Sequence, residues 1–453
     1  MAARAAVAVK RRFLSFDEAR STILAAARPH VLPTEKVDLD ETLGRTLRED
    51  IVADEPNPRF DNSAMDGFAV RAVDVVAASP SSPVALAVVE TIGAGRVATV
   101  PVGPGQAIRI MTGAALPSSA DAVVAIERTS AWRASPEGDP DGVLGRSATD
   151  EELGDASRVE IHAPVAPGEN VRRAGEDFPA GESLALSGAV VTPGVIAVMA
   201  ALGHPWAEVS RVPRVAILST GDELVAPGVE LAPGQVRDSN THMMRALVRS
   251  VGAEPGPCWH LLDDAEAVAA AVERVREQSD VILTLGGVSA GDFDPVKQAL
   301  AQLPGVDLWR VGMRPGQPQA FGVVDGGKLF FGLPGNPVSS AVVFEMLVRP
   351  ALWAMMGRTV LDRPTIRARM LEPLSSKVGR RDFLRVILQP ADTSSSAGDG
   401  PGWQARLTGS QSSGALSSIH RASGFAVIPE ELDSVPPDTI VTVIDATQGV
   451  ARQ

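Results

Sequence analysis

Two carboxylates, Asp61 and Asp66, lie close together in the segment 60–70, whose sequence is FDNSAMDGFAV. Small polar residues separate them, and a strand-like run follows. Carboxylates held this close repel each other unless a cation, a hydrogen-bond donor or a substrate lies between them. The segment therefore favours one wall of a functional site. A loop in which Asp and Asn bond to the backbone and close a hairpin is the alternative, and this segment alone does not decide between the two.

Three other segments combine glycines, carboxylates and hydroxyl groups directly after apolar strand-like runs. They read STGDEL at 219–224, GGVSAGDFD at 286–294 and LPGNPVSS at 333–340. Ligands of a parallel sheet bind at the carboxyl ends of its strands, where helix N-termini offer unpaired amide groups. Each segment by itself also suits a tight turn with a helix cap. Together they predict one site for an adenylated or phosphorylated small molecule, with Mg²⁺ bridging its oxygens to carboxylates.

The elements that position these residues belong to a long, acidic chain. At roughly 100 to 200 residues per domain, 453 residues predict three or four domains. The composition, 45% hydrophobic and 21% charged, is that of a soluble globular protein. Lys and Arg number 42 against 55 Asp and Glu, and the net charge of −13 disfavours a nucleic-acid partner or an anionic membrane surface. Any anionic ligand must therefore be held by a local group of cations.

The single cysteine, Cys258, limits the redox and metal chemistry of the chain. It excludes an intramolecular disulfide and a thiolate metal cluster, and it fits a reducing, cytoplasmic location. Basic residues near the N-terminus follow a short apolar run, which reverses the order of a secretory signal. The longest apolar stretch, 194–202, is too short to cross a bilayer, so we predict a cytoplasmic protein without a membrane segment.

Hydrophobic periodicity predicts an α/β multidomain chain whose main domain is doubly wound. Its predicted parallel strands are 214–220, 281–285 and 328–332, and its predicted helices are 241–251, 265–278, 295–303 and 338–356. The predicted domains are a discontinuous helical and mixed linker domain at 1–55 and 164–210, a small β domain at 56–163, the doubly wound domain at 211–357 and a C-terminal β domain at 358–453. Ser15 is the predicted N-cap of a helix at 16–27, and 135–156 is predicted to be an exposed loop.

Six short motifs occur in one order along the chain: FDNSAMDG from Phe60, IMTG at 110–113, RAGED at 173–177, STGDEL, GGVS at 286–289 and PGNP at 334–337. Together they closely resemble the molybdopterin molybdenumtransferases, that is, the MoeA family and the E domain of gephyrin. The resemblance covers nearly the whole chain. It implies that adenylated molybdopterin and molybdate are converted to the molybdenum-molybdopterin cofactor and AMP with the help of Mg²⁺. It also implies a molybdopterin-binding α/β domain, four domains per subunit and an elongated homodimer with a cleft at its interface.

The resemblance also assigns roles to individual residues. The catalytic residues it implies are Asp61, Thr112, Asp177, Glu223, Asp263 and Asp294, with Asp264 adjoining Asp263. Glu223 and Asp294 would hold Mg²⁺. The pterin substrate would be bound by Gly286, Gly287, Val288, Ser289, Pro334, Gly335, Asn336 and Pro337, and molybdate by Arg380, Ser413 and Pro318. The family usually has a lysine where this chain has Gln317, so oxyanion capture at that position departs from the pattern.

The cysteine count agrees with this assignment. Molybdenum prefers soft sulfur ligands, and a protein with one thiol must leave them to the dithiolene of the pterin. The protein would supply position and charge, with Asp61 helping to place the attacking oxygen and Arg380 with Ser413 capturing molybdate. Molybdopterin adenylyltransferase and apo-molybdoenzymes are the protein partners that the resemblance implies.

The sequence alone leaves two other functions open. A non-catalytic molybdopterin-binding or scaffold protein would use the doubly wound domain but would have no need of the Asp61 segment. A sugar or nucleotide kinase would require a phosphate-loop lysine, which the chain lacks. For several basic residues the ordinary interpretation is a surface position: Arg381 and Arg385 are predicted to be solvated strand residues and Lys297 an exposed helix residue, while Arg314 is left undecided.

Overall fold

The structure is a computed structural model that describes residues 11–133, 146–147, 158–288, 299, 303–324, 326–391 and 402–446. The chain forms two compact units. The first comprises Met1–Glu49, Leu186–Ala200 and His204–Gln453, and the second comprises Asp50–Ala185 and Ala201–Gly203. The predicted loop 135–156 and the predicted helix 295–303 lie almost wholly outside the described residues. The four predicted domain ranges stay predictions.

The first unit contains the predicted parallel α/β arrangement. Four parallel strands lie side by side in the order Glu254–Leu261, Arg214–Thr220, Val281–Leu285 and Lys328–Leu333. The sheet continues with antiparallel Pro318–Val324 and Val306–Arg314, and Arg11–Ser15 pairs in parallel with the latter. Sequence reasoning missed these flanking strands. Glu254–Leu261 contains two prolines, which remove backbone donors, and proline is tolerated there because this strand forms the edge of the sheet.

Helices on both faces of this sheet supply its core. The helix Phe16–Ala27 begins at Ser15 with a capping box, in which Ser15 Oγ accepts from Glu18 N and the Glu18 carboxylate accepts from Ser15 N. The helix Pro337–Met355 is long and apolar enough to cross a membrane, but 94% of its most apolar stretch is buried inside the protein, so it is a core helix. Further helices within the described residues are Pro193–Ala201, Asn240–Ser250, Ala265–Arg276 and Leu416–Arg421.

The C-terminal part of the first unit is the predicted β region. Its strands are Thr365–Met370, Arg381–Pro390, Trp403–Leu407, Gly424–Ile428 and Ile440–Asp445. Met313 pairs with Arg381, and Arg314 with Asp382, so this region continues the sheet of the α/β part. Short two-stranded pairs complete the unit: Thr34–Asp38 with Trp206–Ser210, Leu224–Val225 with Val236–Arg237, and Leu374–Ser375 with Ser434–Val435.

The second unit is built on a five-stranded sheet. In spatial order its strands are Arg158–Ile161, Val84–Ile92, Gln106–Ile110, Gly67–Val70 and Ala122–Ala125. Gly67 begins the strand predicted after Asp66, and a Cβ there would lie 2.0 Å from the carbonyl oxygen of Val124, so only glycine fits. Smaller pairs are Asn62–Ser63 with Val171–Arg172, Ile51–Val52 with Ser183–Ala185, and Trp132–Arg133 with Arg146–Ser147.

Candidate active site

Asp61 lies where two of the sequence motifs meet in the second unit. Asn62, the next residue, pairs with Arg172, which brings Asp61 beside the segment 173–177. Asp61 accepts a hydrogen bond from Ala174 N at 2.8 Å and one from Arg173 Nη1 at 2.6 Å. The Ala174 hydrogen bond, together with the Arg173 guanidinium, holds the pKa of Asp61 below its usual range. Asp61 is therefore an ionised carboxylate whose side chain remains 35% exposed.

The two acids of the opening segment bond to different partners. Asp66 bonds instead to Thr112, since its Oδ1 accepts from Thr112 N at 2.7 Å and from Thr112 Oγ1 at 2.8 Å. Asp177 Oδ2 accepts from Asn57 Nδ2 at 2.8 Å. Each carboxylate thus has its own donor. Asp66, which the sequence placed in the wall of the site without a role of its own, fixes the orientation of Thr112. Asn57, which sequence reasoning did not single out, fixes that of Asp177.

In the first unit the three glycine-bearing loops lie at one edge of the sheet. The strands that precede them end at Thr220, Leu285 and Leu333, and they are parallel neighbours. Gly286 N donates to Leu333 O at 3.0 Å. Gly286 has φ +104°, and a Cβ there would lie 2.7 Å from Thr220 Oγ1, so the position requires glycine. The loops therefore converge on a surface made of backbone, as close approach of a ligand demands.

The predicted pterin-binding residues at this edge differ in whether a ligand can reach their side chains. Gly286 and Gly335 are neighbours, because a Cβ on Gly335 would lie 3.6 Å from Gly286 Cα. Val288 is 5% exposed and packs in the core, which leaves Gly287 and the backbone of Val288 to meet a ligand. Asn240 Nδ2 donates to Gly335 O at 2.5 Å and so fixes the loop, a contact that the sequence did not indicate. Ser289 and Asp294 lie outside the described residues.

Glu223 and Asp263 are exposed at the same edge, after adjacent strands. Asp222 Oδ1 accepts a hydrogen bond from Asp263 N at 3.1 Å, which brings the two loops together. Carboxylate oxygens are the ligands that Mg²⁺ prefers, so these donors fit the ion in chemical kind. Within the described ranges, no three His, Cys, Asp or Glu side chains are grouped so as to hold a metal ion.

A cavity of about 350 Å³ opens next to the third loop, and we call it the oxyanion pocket. It contains the three predicted molybdate-binding residues together with part of the predicted pterin-binding loop. Val338 N, at the start of the core helix, donates to Ser413 O at 3.1 Å and joins the two sides. The oxyanion pocket is lined by Met313, Arg314, Pro315, Gly316, Gln317, Pro318, Pro334, Asn336, Ser339, Arg380, Gln411, Ser412 and Ser413. Glu223 and Asp263 are not among them.

One buried carboxylate holds two cations at the wall of the oxyanion pocket. Asp382 is fully buried, with Arg380 Nε 3.0 Å from its Oδ1 and Arg314 Nη1 3.5 Å from its Oδ2. The close contact is not aligned as a hydrogen bond, so Arg380 Nε and Asp382 Oδ1 are buried polar atoms without a hydrogen-bond partner in the described part of the chain. Arg380 is nonetheless ion-paired to Asp382 and lines the pocket, where a guanidinium fits an incoming oxyanion.

Arg385 lies behind the pocket, and the expectation that it is solvated was wrong. It is 1% exposed because its strand is paired on both sides and covered by the helix Leu416–Arg421. Its guanidinium donates to Ser412 O at 3.1 Å and to Ser410 O at 3.4 Å, in the loop that carries Ser413. Burial, and then the charge of Arg314, lower the pKa of Arg385 to about 10. Three arginines and one aspartate thus leave the pocket with an excess of positive charge.

Arg381 is not a freely solvated residue either. Its guanidinium makes ion pairs with Asp17 at 2.9 Å and with Glu430 at 2.8 Å. Although burial opposes its charge, the hydrogen bonds to Glu430 and Asp17 raise the pKa of Arg381. Its neighbour Arg380 lines the pocket, and Arg381 anchors the same strand through two carboxylates outside the pocket lining. Lys297, predicted to be exposed, lies outside the described residues.

Comparison with known families identifies this arrangement. Family models match the chain as the MoeA N-terminal region (domain I and II) at 14–203, a "probable molybdopterin binding domain" at 216–354 and the MoeA C-terminal region (domain IV) at 367–446. The molybdopterin molybdenumtransferase 2 of Mycobacterium tuberculosis (strain CDC 1551 / Oshkosh) is 38% identical over 432 residues, which cover 94% of this chain and 97% of that protein. The chain belongs to the molybdopterin molybdenumtransferase family. It is therefore a transferase of molybdenum cofactor biosynthesis.

Other relatives of the molybdopterin molybdenumtransferase family agree. The Staphylococcus aureus (strain COL) molybdopterin molybdenumtransferase is 35% identical over 399 residues, which cover 88% of each chain. The crystal structure of the molybdopterin biosynthesis moeA protein from Pyrococcus horikoshii OT3 matches with a TM-score of 0.76 and 28% identity, over 96% of this chain and all of that chain. The predicted fold class, a doubly wound domain with small β domains, is confirmed.

Proposed function

We propose that this molybdopterin molybdenumtransferase is a molybdenum insertase acting on adenylated molybdopterin and molybdate. The products are the molybdenum-molybdopterin cofactor and AMP, and the reaction requires Mg²⁺. The observation that carries the proposal is the oxyanion pocket, whose wall joins Arg380 and Ser413 to Pro334 and Asn336 of the glycine-bearing loop. A dianion and a phosphorylated pterin bound on its two sides would be adjacent reactants.

The chemistry divides between the substrates and the protein. The two dithiolene thiols give their protons to one oxygen ligand of molybdate, which leaves as water, and the two sulfurs bind molybdenum in its place. The anhydride bond between the two phosphoryl groups breaks, an oxygen nucleophile bonds to phosphorus, and AMP leaves. Mg²⁺, when bound, neutralises charge on the anhydride oxygens. The protein needs no sulfur ligand for this reaction, in agreement with its single cysteine.

The residues of this chain bind and orient the reactants. Arg380 would donate to molybdate from the guanidinium that Asp382 positions, with Ser413 and Pro318 completing the contact. Glu223 and Asp294 would hold Mg²⁺ through carboxylate oxygens, and the backbone at Gly286, Gly287 and Gly335 would bind the pterin. Asp61, kept ionised by Ala174 and Arg173, would place the attacking oxygen.

The setting of the reaction is part of the proposal. We expect a cytoplasmic homodimer that receives its substrate from a molybdopterin adenylyltransferase and passes the cofactor to apo-molybdoenzymes. Analytical ultracentrifugation of the purified protein tests the dimer directly, since dimer and monomer differ twofold in mass.

One assay tests the reaction itself. Purified protein is mixed with adenylated molybdopterin, Mg²⁺ and molybdate, and AMP release is followed together with reconstitution of an apo-molybdoenzyme. Arg380→Gln should abolish molybdate-dependent turnover, whereas Arg406→Gln, an exposed arginine of the same β region, should not change it. If the unaltered protein yields neither product yet binds molybdopterin, the non-catalytic binding or scaffold function replaces this proposal.

A further inference from the structure

A second cavity, of about 500 Å³, lies at the opposite edge of the α/β sheet of the first unit, and we call it the arginine cavity. Its residues 210–212 directly precede the strand Arg214–Thr220, and its residues 249–252 precede the strand Glu254–Leu261. It therefore lies at the amino ends of the strands, away from the glycine-bearing loops. The arginines in its lining are Arg45, Arg211, Arg249, Arg358 and Arg363.

Three guanidinium groups crowd around one indole at the back of this cavity. Arg349, Arg358 and Arg363 lie 4.3, 4.6 and 5.4 Å from the ring of Trp353. Glu345 pairs with Arg349 at 2.6 Å and with Arg363 at 2.8 Å. Arg358 has no carboxylate partner within the part of the chain that the structure describes, and it donates only to Thr46 Oγ1 at 3.1 Å and to Gly44 O at 3.2 Å.

The nearby carboxylates around the rest of the cavity do not balance the positive charge of Arg358, because they already pair with other arginines. Arg45 pairs with Glu35, and Arg211 pairs with Asp280 at 2.7 Å, so each of these carboxylates is already engaged. Arg249 is exposed, in the last turn of the helix Asn240–Ser250. Burial, followed by the charges of Arg349 and Arg363, lowers the pKa of Arg358 to about 10. The cavity thus has room for a ligand, and its half-buried cation Arg358 has no carboxylate partner among the described residues.

We propose that the arginine cavity binds the phosphoryl group of a small phosphorylated molecule, with Arg358 as its central contact and Arg249 at its mouth. A guanidinium offers paired donors that match the oxygens of a phosphoryl dianion. Thr46 Oγ1 accepts from Arg358, so its own proton is available for the same dianion. The volume falls within the roughly 300 to 1,000 Å³ of sites for small ligands. This site is separate from the insertase site and does not rest on the proposed reaction.

A structural role for Arg358 is the competing explanation. Its hydrogen bonds to Gly44 and Thr46 would then serve only to hold the segment 43–46 against Trp353. The two explanations differ in what phosphate does. A cation that only fixes a loop gives no saturable binding of phosphate, whereas an anion site does, and its ligand raises the melting temperature of the protein.

The experiment uses the full-length protein carrying Arg380→Gln, because the oxyanion pocket also attracts dianions. Inorganic phosphate and AMP are titrated by calorimetry at constant ionic strength, with chloride as the balancing anion. We expect saturable binding that adding Arg358→Gln weakens by about tenfold or more, since a charged hydrogen-bonding partner is lost. Adding Arg406→Gln, the exposed control, should leave it unchanged.

A second variant and the comparison of phosphate with AMP complete the test. If Arg358→Gln lowers the melting temperature without ligand, the exposed Arg249→Gln replaces it and should weaken phosphate binding by severalfold. Equal affinity for phosphate and AMP would mean that the cavity recognises the phosphoryl group alone, and tighter binding of AMP would mean that it also contacts the nucleoside. Absence of saturable binding in the Arg380→Gln protein, or binding unaffected by both arginine substitutions, overturns the proposal.

Discussion

The buried carboxylate of Asp382 lies 3.0 Å from Arg380 Nε and so fixes the side chain that faces the oxyanion pocket. A second guanidinium, that of Arg314, lies 3.5 Å from the other oxygen of the same carboxylate. Asp382 therefore keeps two like charges side by side. An arginine pair held in this way is ready to donate to an oxyanion without rearranging, which is the requirement for preorganised electrostatic binding.

Asp382→Asn should destabilise the protein and weaken molybdate capture together. Asparagine keeps the shape but removes the charge that balances Arg314 and Arg380. Because these arginines are partly exposed to water, we expect the free energy of unfolding to fall by about 1–3 kcal/mol, less than for a fully buried ion pair. Urea denaturation measures this loss, and Asp307→Asn, an exposed strand carboxylate, is the control. Equal stability of the two variants would contradict the role given to Asp382.

Arg385→Met should raise the KM for molybdate more than it lowers kcat. Methionine fills part of the buried space but no longer donates to Ser410 O and Ser412 O, so the loop that carries Ser413 loses its anchor. Steady-state AMP release at varied molybdate concentration separates the two constants. Ser418→Ala removes a different contact of Arg385 and should have a smaller effect.

Arg385→Lys provides the second arm of this test. Lysine keeps the charge and one donor, so part of the molybdate affinity should return. If methionine and lysine are equally impaired while both proteins are as stable as the parent, the charge and hydrogen bonds of Arg385 do not serve the pocket.

Arg173→Gln should change stability in a pH-dependent way. The pKa of Asp61 is lowered in the folded protein, so its ionised form stabilises the fold above the ordinary value of 3.8, and this contribution is lost as the pH falls through the lower folded value. Removing Arg173 raises that pKa only in part, since the hydrogen bond from Ala174 remains. The ion pair is exposed, so we expect a loss below about 1 kcal/mol at pH 7.

The measurement is the free energy of unfolding at several pH values between 7 and 3. The difference between Arg173→Gln and the parent should shrink as the pH falls below 3.8, because Asp61 then takes up a proton in both folded proteins. Arg96→Gln, an exposed arginine of the same unit, should show no such trend. A difference that grows on acidification would have the wrong sign for this interpretation.

Gln317→Lys should lower the KM for molybdate. Gln317 lines the oxyanion pocket, and a lysine there adds a positive charge facing the space that a dianion would occupy. We expect a change of severalfold, larger at low ionic strength because salt screens the added charge. An isosteric Gln317→Glu protein, which adds the opposite charge, should shift the KM the other way. Identical KM values for both variants would mean that this position does not contact molybdate.

The elements with strong local signals were predictable from the sequence. Ser15 and Glu18 form the capping box that starts a helix, and the apolar runs ending at Thr220, Leu285 and Leu333 are strands followed by glycine-bearing loops. In such cases the information lies within a few neighbouring residues. The convergence of the three loops could also be predicted, because the carboxyl ends of parallel strands lie at the same edge of the sheet.

Features that depend on distant pairing were not predictable from one sequence. The burial of Arg385 results from two neighbouring strands and a covering helix, none of which the residues around Arg385 specify. The pairing of Arg314 with Asp382 joins segments that are far apart in the chain, so the arginine pair at the pocket could not be inferred from spacing. Asn240, whose amide fixes Gly335, carries no local signal of that contact.

The hydrogen bond from Val338 N to Ser413 O links the first turn of the core helix to the loop beneath the oxyanion pocket. The bond ties the position of one segment to that of the other. If the two proposed reactants bind on its two sides, we expect binding of one to alter the affinity for the other, and thermodynamic linkage makes such an influence mutual. Such cooperativity would keep molybdate bound weakly until the pterin arrives, so that the metal is retained only when its acceptor is in place.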